Sequence, residues 1–203
     1  LKFGIFRFTG ALIGVTLLSA AAASAQVRPS ATQNMELSAF AGVNGTNSGL
    51  NSGKNIGITA GADLSVHLFS HYLPSVEVRA TYPFFRGGSA SAENVFAGFK
   101  VERIFGPFHP YVDALYGRAQ LQYANGGYPN PAGTFVYTKS YGNVPSLGGG
   151  LDFNLNRHFA LKADAQYQRY PVPVTESRRI NAYVGTLGVV YRFDFDGHQF
   201  FRR

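Results

Sequence analysis

Eight stretches of this chain alternate apolar and polar residues with period two, and that repetition limits the fold more than any other feature. Successive side chains of a β-strand point to opposite faces, so such alternation marks a strand with two unlike sides. In the first stretch, from about Asn34 to Asn44, Met35, Leu37, Ala39, Ala41 and Val43 oppose Glu36, Ser38, Phe40 and Gly42. The same pattern returns over Ile56–Leu68, Ser75–Phe84, Glu93–Arg103, Gly142–Leu155, Phe159–Tyr170 and Asn181–Asp194. The stretch Tyr111–Tyr123 is the least regular, because Leu115 sits on its polar side. Pro145 lacks an N–H and is expected to limit ladder pairing near the start of the sixth strand.

The connections alternate too. Asn44–Asn55, Arg86–Ala92, Ala124–Ser140 and Pro171–Ile180 are rich in Gly, Asn, Ser or Pro, whereas Ser70–Pro74, Ile104–Pro110 and Asn156–His158 are short. An even number of strands with short turns at one end and longer loops at the other predicts an all-β, eight-stranded antiparallel up-and-down transmembrane β-barrel. The short turns and both termini are then expected on the periplasmic side.

The barrel is expected over residues 34–194, with a tail over 195–203. The N-terminus reads as a targeting segment. Lys2 and Arg7 precede an apolar run from Gly10 to Leu18, and Ala23-Ser24-Ala25 fits a small-residue cleavage site. A signal peptide over residues 1–25 is expected, with Gln26 as the mature N-terminus and a polar leader over 26–33. The apolar run falls short of the ~20 residues a spanning helix needs. The chain opens on Leu1, so its first residues are expected to be incomplete.

Alternation alone does not say which face meets lipid. The polar faces mix Gly, Ser and Thr with Asp, Glu, Lys and Arg, and small residues suit the narrow interior of an eight-stranded barrel. Aromatic residues gather near strand ends, as interfacial girdles do. Tyr82, Phe84, Tyr167 and Tyr170 lie near the long-loop end, and Phe69, Phe105, Phe108, Phe153, Phe159, Tyr191 and Phe193 near the short turns. Between those ends the cleanly alternating strands place no charge on the apolar face. A lysine or arginine there would cost about 2–4 kcal/mol at the bilayer midplane. The apolar face is therefore expected outward, in lipid. A soluble secreted β-barrel or sandwich is the alternative.

Thr186, Gly188, Tyr191 and Phe193 stand as polar-x-Gly-x-x-aromatic-x-aromatic in the last strand. This resembles the C-terminal β-signal of bacterial outer-membrane barrels, and the resemblance implies recognition by the barrel-assembly machinery. Residues 194–203 follow the last aromatic, where the family usually ends. Together with Pro110, Tyr111 and Val112 at the fifth strand, the eight strands and the signal peptide resemble the small OmpA/OmpX-type outer-membrane barrels of Gram-negative-type bacteria. The resemblance spans essentially the whole mature chain and implies an outer-membrane location.

The inward face carries Glu36, Asp63, Glu77, Glu102, Asp113, Asp152, Asp164 and Asp194 with Arg79, Lys100, Lys162 and Arg192. Buried charges must pair, so these residues are expected to form a lumen charge network. Glu77 and Arg79 on the third strand and Lys100 and Glu102 on the fourth are expected to pair across the hairpin. An open conduit would instead make the barrel a narrow pore or transport channel, with the acid excess favouring cations. Arg86, Lys139, Arg169, Arg178 and Arg179 lie near the long loops and are expected candidates for contacts to lipopolysaccharide phosphates.

No catalytic, cofactor or metal site is expected. There is no cysteine, and the five histidines show no close metal spacing. His67 reads as the only histidine of the barrel wall, and it lacks the serine partner a lipid-modifying hydrolase needs. Lys and Arg form no stripe of the kind nucleic acid requires. The expected role is a structural or surface-interaction barrel with a side-chain-filled lumen, its partners being outer-membrane lipid and lipopolysaccharide.

Overall fold

The structure is a computed structural model and describes residues 35–50, 53–67, 71–86 and 88–193. The expected signal peptide, leader and tail, together with Asp194, His198, Leu68 and Phe69, lie outside the described residues.

Eight strands close into one antiparallel barrel: β1 (Met35–Asn47), β2 (Lys54–Val66), β3 (Tyr72–Phe85), β4 (Ala90–Arg103), β5 (Phe108–Tyr123), β8 (Lys139–Asn154), β9 (Phe159–Pro171) and β10 (Arg179–Phe193). Each pairs with its chain neighbours, and β1 pairs with β10 to close the ring. The connection between β5 and β8 carries a small hairpin, β6 (Tyr128–Pro129) and β7 (Val136–Tyr137). Among the described residues no helix is long and apolar enough to cross a membrane.

The seam between β1 and β10 depends on glycine. Gly42 lies opposite Gly188, and a Cβ on either would sit 2.4 Å from a carbonyl oxygen of the facing strand. A side chain at Gly188 would therefore push the closing strand away.

The barrel wall has one phase of alternation throughout but two polarity regimes. Toward the short turns, apolar side chains point outward and charges inward: Val76 and Val78 are exposed while Glu77 and Arg79 are buried. Toward the loops the pattern inverts without a change of phase. On β5, Leu115, Ala119, Leu121 and Tyr123 are buried inside, while Arg118 faces out. This inversion is why the fifth stretch reads as irregular in the sequence. Its phase never breaks, but the polarity of its two faces exchanges partway along.

The same change explains why most strands run past their expected ends. β1 reaches Asn47 and β2 starts at Lys54, with Asn47 opposite Lys54. The added pairs carry polar outward side chains such as Asn47 and Lys54.

Two seams open at the loop end. The β8–β9 ladder starts only at Ser146↔Gln168, directly after Pro145. The β3–β4 ladder stops at Thr81↔Asn94. Near β3, a register shift between Ile56 and Gly57 sets Gly57 opposite Pro83, the kind of irregular position a strand proline tolerates. Beyond these points β4, β5 and β8 form one flap, and β9, β10, β1, β2 and β3 the other. Ala92, Leu121 and Val144 from the first flap meet Tyr170, Ile180 and Ala182 from the second in one apolar cluster. The loop end is thus a small two-layer sandwich continuous with the barrel.

Candidate functional site in the lumen

The lumen is filled by side chains that arrive from every barrel strand. At the turn end, Arg192 Nε donates to Glu36 at 2.9 Å, its Nη2 lies 3.6 Å from Glu102, and Nη1 bonds Asn154. His109 Nδ1 also meets Glu102, and its Nε2 faces Asn154 at 2.9 Å. One layer deeper, Lys100 Nζ lies 3.1 Å from Asp63, 3.4 Å from Glu102 and 3.7 Å from Asp152. Lys162 Nζ lies 3.5 Å from Asp152 and 4.0 Å from the Tyr111 ring centroid.

Arg79 holds the next layer together. Its guanidinium bonds Glu77 on its own strand, donates to Asp164 at 2.9 and 3.2 Å, and lies 3.6 Å from Asp113. Tyr111 donates to Asp164 at 2.9 Å, and Gln166 Nε2 donates to Asp113 and Asp164 at 2.8–3.0 Å. Arg79 is 3% exposed and Glu77 0%. Above them, Tyr170, a member of the apolar cluster, donates to Gln168 at 2.6 Å.

The geometry explains how so many acids coexist. Asp63 and Glu77 are direct ladder partners, an arrangement that destabilises a sheet when both carry charge. Lys100 sits on Asp63 and Arg79 on Glu77, which offsets the repulsion.

Glu36, Asp63, Glu77, Arg79, Lys100, Glu102, Asp113, Asp152, Lys162, Asp164 and Arg192 therefore all meet inside the barrel. The expected pairing across the β3–β4 hairpin is corrected. Glu77 lies opposite Gly98 and Arg79 opposite Phe96 in the ladder, and among the described residues neither makes a close ion pair with β4. The long cations instead reach across the lumen to β2, β5, β8 and β9, a distance an eight-stranded interior is narrow enough to allow.

Two further readings are corrected. Tyr170 is 2% exposed and belongs to the interior rather than to a girdle, while Tyr116 and Tyr183 stand outward beside Tyr82 and Tyr167. His109, not His67, is the histidine inside the wall, because β5 begins at Phe108. His67 is exposed beyond the end of β2. Sequence patterning also missed Phe40, Tyr111 and Gln166, whose inward phase was visible but whose roles depend on neighbours across the lumen.

Among the described residues no His, Cys, Asp and Glu cluster has the makings of a metal site. The bonds of His109 go to Glu102, Asn154 and the Gly106 carbonyl, with no serine hydroxyl in the set.

In the last strand, Thr186 points inward and is buried, whereas Tyr191 and Phe193 face out in an edge-on pair at 5.0 Å. Arg86 is engaged by Gln122 and Glu93. Lys139, Arg169, Arg178 and Arg179 are exposed. Arg118, not anticipated among them, is exposed one outward position beyond Tyr116.

A closed antiparallel barrel with an apolar outer belt and inward charges defines the class of outer-membrane β-barrel proteins. A family model described as the outer membrane protein beta-barrel domain matches residues 8–193, and the chain belongs to that family. Neisserial surface protein A is similar in structure, with 14% identity and a TM-score of 0.50 over 78% of this chain and 96% of that one. Ail of Yersinia pestis, solved with the heparin analogue sucrose octasulfate, is 14% identical with a TM-score of 0.45, covering 78% and 97%. The N-terminal β-barrel domain of Pseudomonas aeruginosa OprF is 18% identical with a TM-score of 0.39, covering 79% and 98%. At these identities the likeness is one of fold. No curated protein matches the chain.

Proposed function

We propose that this protein is a non-enzymatic, non-conducting outer-membrane barrel with a structural and surface-interaction role. The observation that carries the reading is the double filling of the lumen. Arg79 gathers Glu77, Asp113 and Asp164 across its width, and the apolar cluster around Phe96 and Leu121 closes the loop end above them. An ion crossing the barrel would have to displace a paired arginine and then traverse a hydrocarbon core.

In this reading both termini lie in the periplasm and the loop end is extracellular. Thr186, Gly188, Tyr191 and Phe193 serve as the signal read by the assembly machinery. Arg118, Lys139, Arg169, Arg178 and Arg179 stand where the outer face turns from apolar to polar, the level at which lipopolysaccharide phosphates lie. Charge-assisted contacts to phosphate favour arginine at that position.

The test is the current through a planar bilayer containing the purified full chain. Folded barrels that pass no steady current support the reading. A reproducible ohmic conductance would replace it with the narrow channel, for which the acid excess predicts cation selectivity.

A further inference from the structure

One side of the barrel carries three unlike surfaces stacked along the same strands. Lowest, on the apolar outer wall, Leu147, Ala165, Tyr167, Tyr183 and Gly185 border a depression of about 350 Å³. It exists because the ladder places Gly185 opposite Ala165, so two tyrosines and a leucine overhang a floor with almost no side chain.

Next toward the loops come Arg169 on β9 and Arg179 on β10. Both are exposed, and neither has an acid partner among the described residues. Above them, where Pro145 ends the β8–β9 ladder, the seam opens into a groove of about 810 Å³. Tyr137, Tyr141 and Pro171 line it, with Arg178 and Glu176. Arg178 is held at φ +53° in a loop fastened by its own N–H to the Thr175 carbonyl at 2.9 Å and by Val172 N–H to the Arg178 carbonyl. Backbone in that region is sparsely populated by non-glycine residues and persists where the surroundings fix it.

We propose that this wall is a binding track for one molecule of an anionic glycolipid of the outer leaflet, the lipopolysaccharide class. An acyl chain lies in the depression, a phosphate meets Arg169 and Arg179, and the first sugars occupy the groove against Tyr137 and Tyr141. The order of the surfaces is the order of the parts in the lipid. Ala165 and Pro171 are six residues apart on one strand, so the track spans roughly 20 Å.

Charge selects the occupant. Arg169, Arg178 and Arg179 oppose Glu176 alone, so the track favours an anion. Aromatic faces and prolines beside an arginine suit a sugar ring, which offers C–H faces and hydroxyls together, better than they suit a hydrocarbon tail. The inference rests on the outer-leaflet reading above and narrows it to a single wall.

The experiment uses the full chain in nanodiscs, with native mass spectrometry counting retained lipopolysaccharide per barrel. Phosphatidylglycerol nanodiscs and free core oligosaccharide serve as competitors. Each variant is first checked for folding by heat-modifiable gel mobility. The wild type is expected to retain one molecule. Arg169→Gln with Arg179→Gln, and separately Gly185→Leu, should each weaken retention about ten-fold, the loss expected for a charge-assisted contact or a filled subsite. Tyr141→Ala should lose discrimination between lipopolysaccharide and phosphatidylglycerol. Arg103→Gln, exposed at the short-turn end of β4, should change nothing.

Retention unchanged in the folded track variants overturns the track. If binding is instead lost with Lys54→Gln and Arg118→Gln, the general outer-leaflet reading stands and only the track fails. No retention by the wild type defeats both. Equal competition by phosphatidylglycerol overturns the sugar groove and with it the proposal.

Discussion

The two halves of the interior solve the same problem with opposite chemistry. Toward the short turns, the lumen is packed with Arg79, Lys100, Lys162 and Arg192 among seven carboxylates. Toward the loops, the same inward positions carry Phe96, Leu115, Leu121, Val144 and Ile180. The difference follows from what lies outside. Where the wall faces lipid, apolar residues are committed outward and hydrophobic burial inside adds little contrast, so the interior is held by ion pairs and hydrogen bonds. Where the wall stands in water, burying apolar side chains is the main driving force again, and the barrel end behaves like a soluble β-sandwich. The lesson is that one strand phase serves two solvents, with composition switching at about Tyr116 on β5.

That contrast predicts different responses to damage. The largest effect is expected from Arg79→Ala, which strands three carboxylates in the interior. A buried ion pair broken on one side costs about 3–5 kcal/mol, measured here as a fall in stability to urea in lipid vesicles. Loss of the whole barrel transition, rather than of one part, is expected because Arg79 joins β3 to β5 and β9.

Leu121→Ala comes next. A buried leucine cut to alanine costs about 2–5 kcal/mol, but the loss should be confined to the loop end. Protease cleavage within 124–138 should accelerate while the membrane-embedded strands keep their protection from hydrogen exchange. Uniform destabilisation of all strands would merge the two regions into one and break the comparison.

Phe193→Ala addresses assembly more than stability. Its ring is half exposed on the outer face, so folding from urea should change by about 1 kcal/mol or less, within the range of an aromatic pair. Insertion into the outer membrane in cells should fall much further. A variant that inserts normally removes the assembly role from the last strand.

The smallest effect is expected from Arg86→Ala. Its contact to Glu93 is 3.7 Å long and exposed, worth about 0–1 kcal/mol. A loss approaching that of Arg79→Ala would show that the rim is as dry as the lumen, against the account.

The contrast also separates what the sequence makes legible from what it hides. Strand number and phase follow from alternation alone, because side-chain direction in a strand is fixed by parity; placing the charges inside also needs the small residues beside them and the aromatic strand ends. Partner choice is not, since Arg79 finds Asp164 eighty-five residues away through barrel closure and not through its hairpin neighbour. Tyr170 shows the other limit. Its aromatic character near a strand end fits a girdle, yet its parity matches Gln168 and Gln166 and sends it inside. The inversion on β5 was present as an irregularity, and reading it needed the height at which the wall leaves the lipid. The groove at the β8–β9 seam has one local cause in the sequence, Pro145, but its second wall comes from the loop after Pro171.

The central claim is that the charged half is a closely packed, poorly hydrated network and not a set of screened charges lining water. The most direct measurement is a double-mutant cycle between Arg79→Ala and Asp164→Ala, read as unfolding free energies in lipid vesicles. Directly bonded partners in a dry interior should show a coupling of about 2–3 kcal/mol. A coupling of about 0–1 kcal/mol, the value for exposed pairs, would mean that water fills the lumen and would contradict the account.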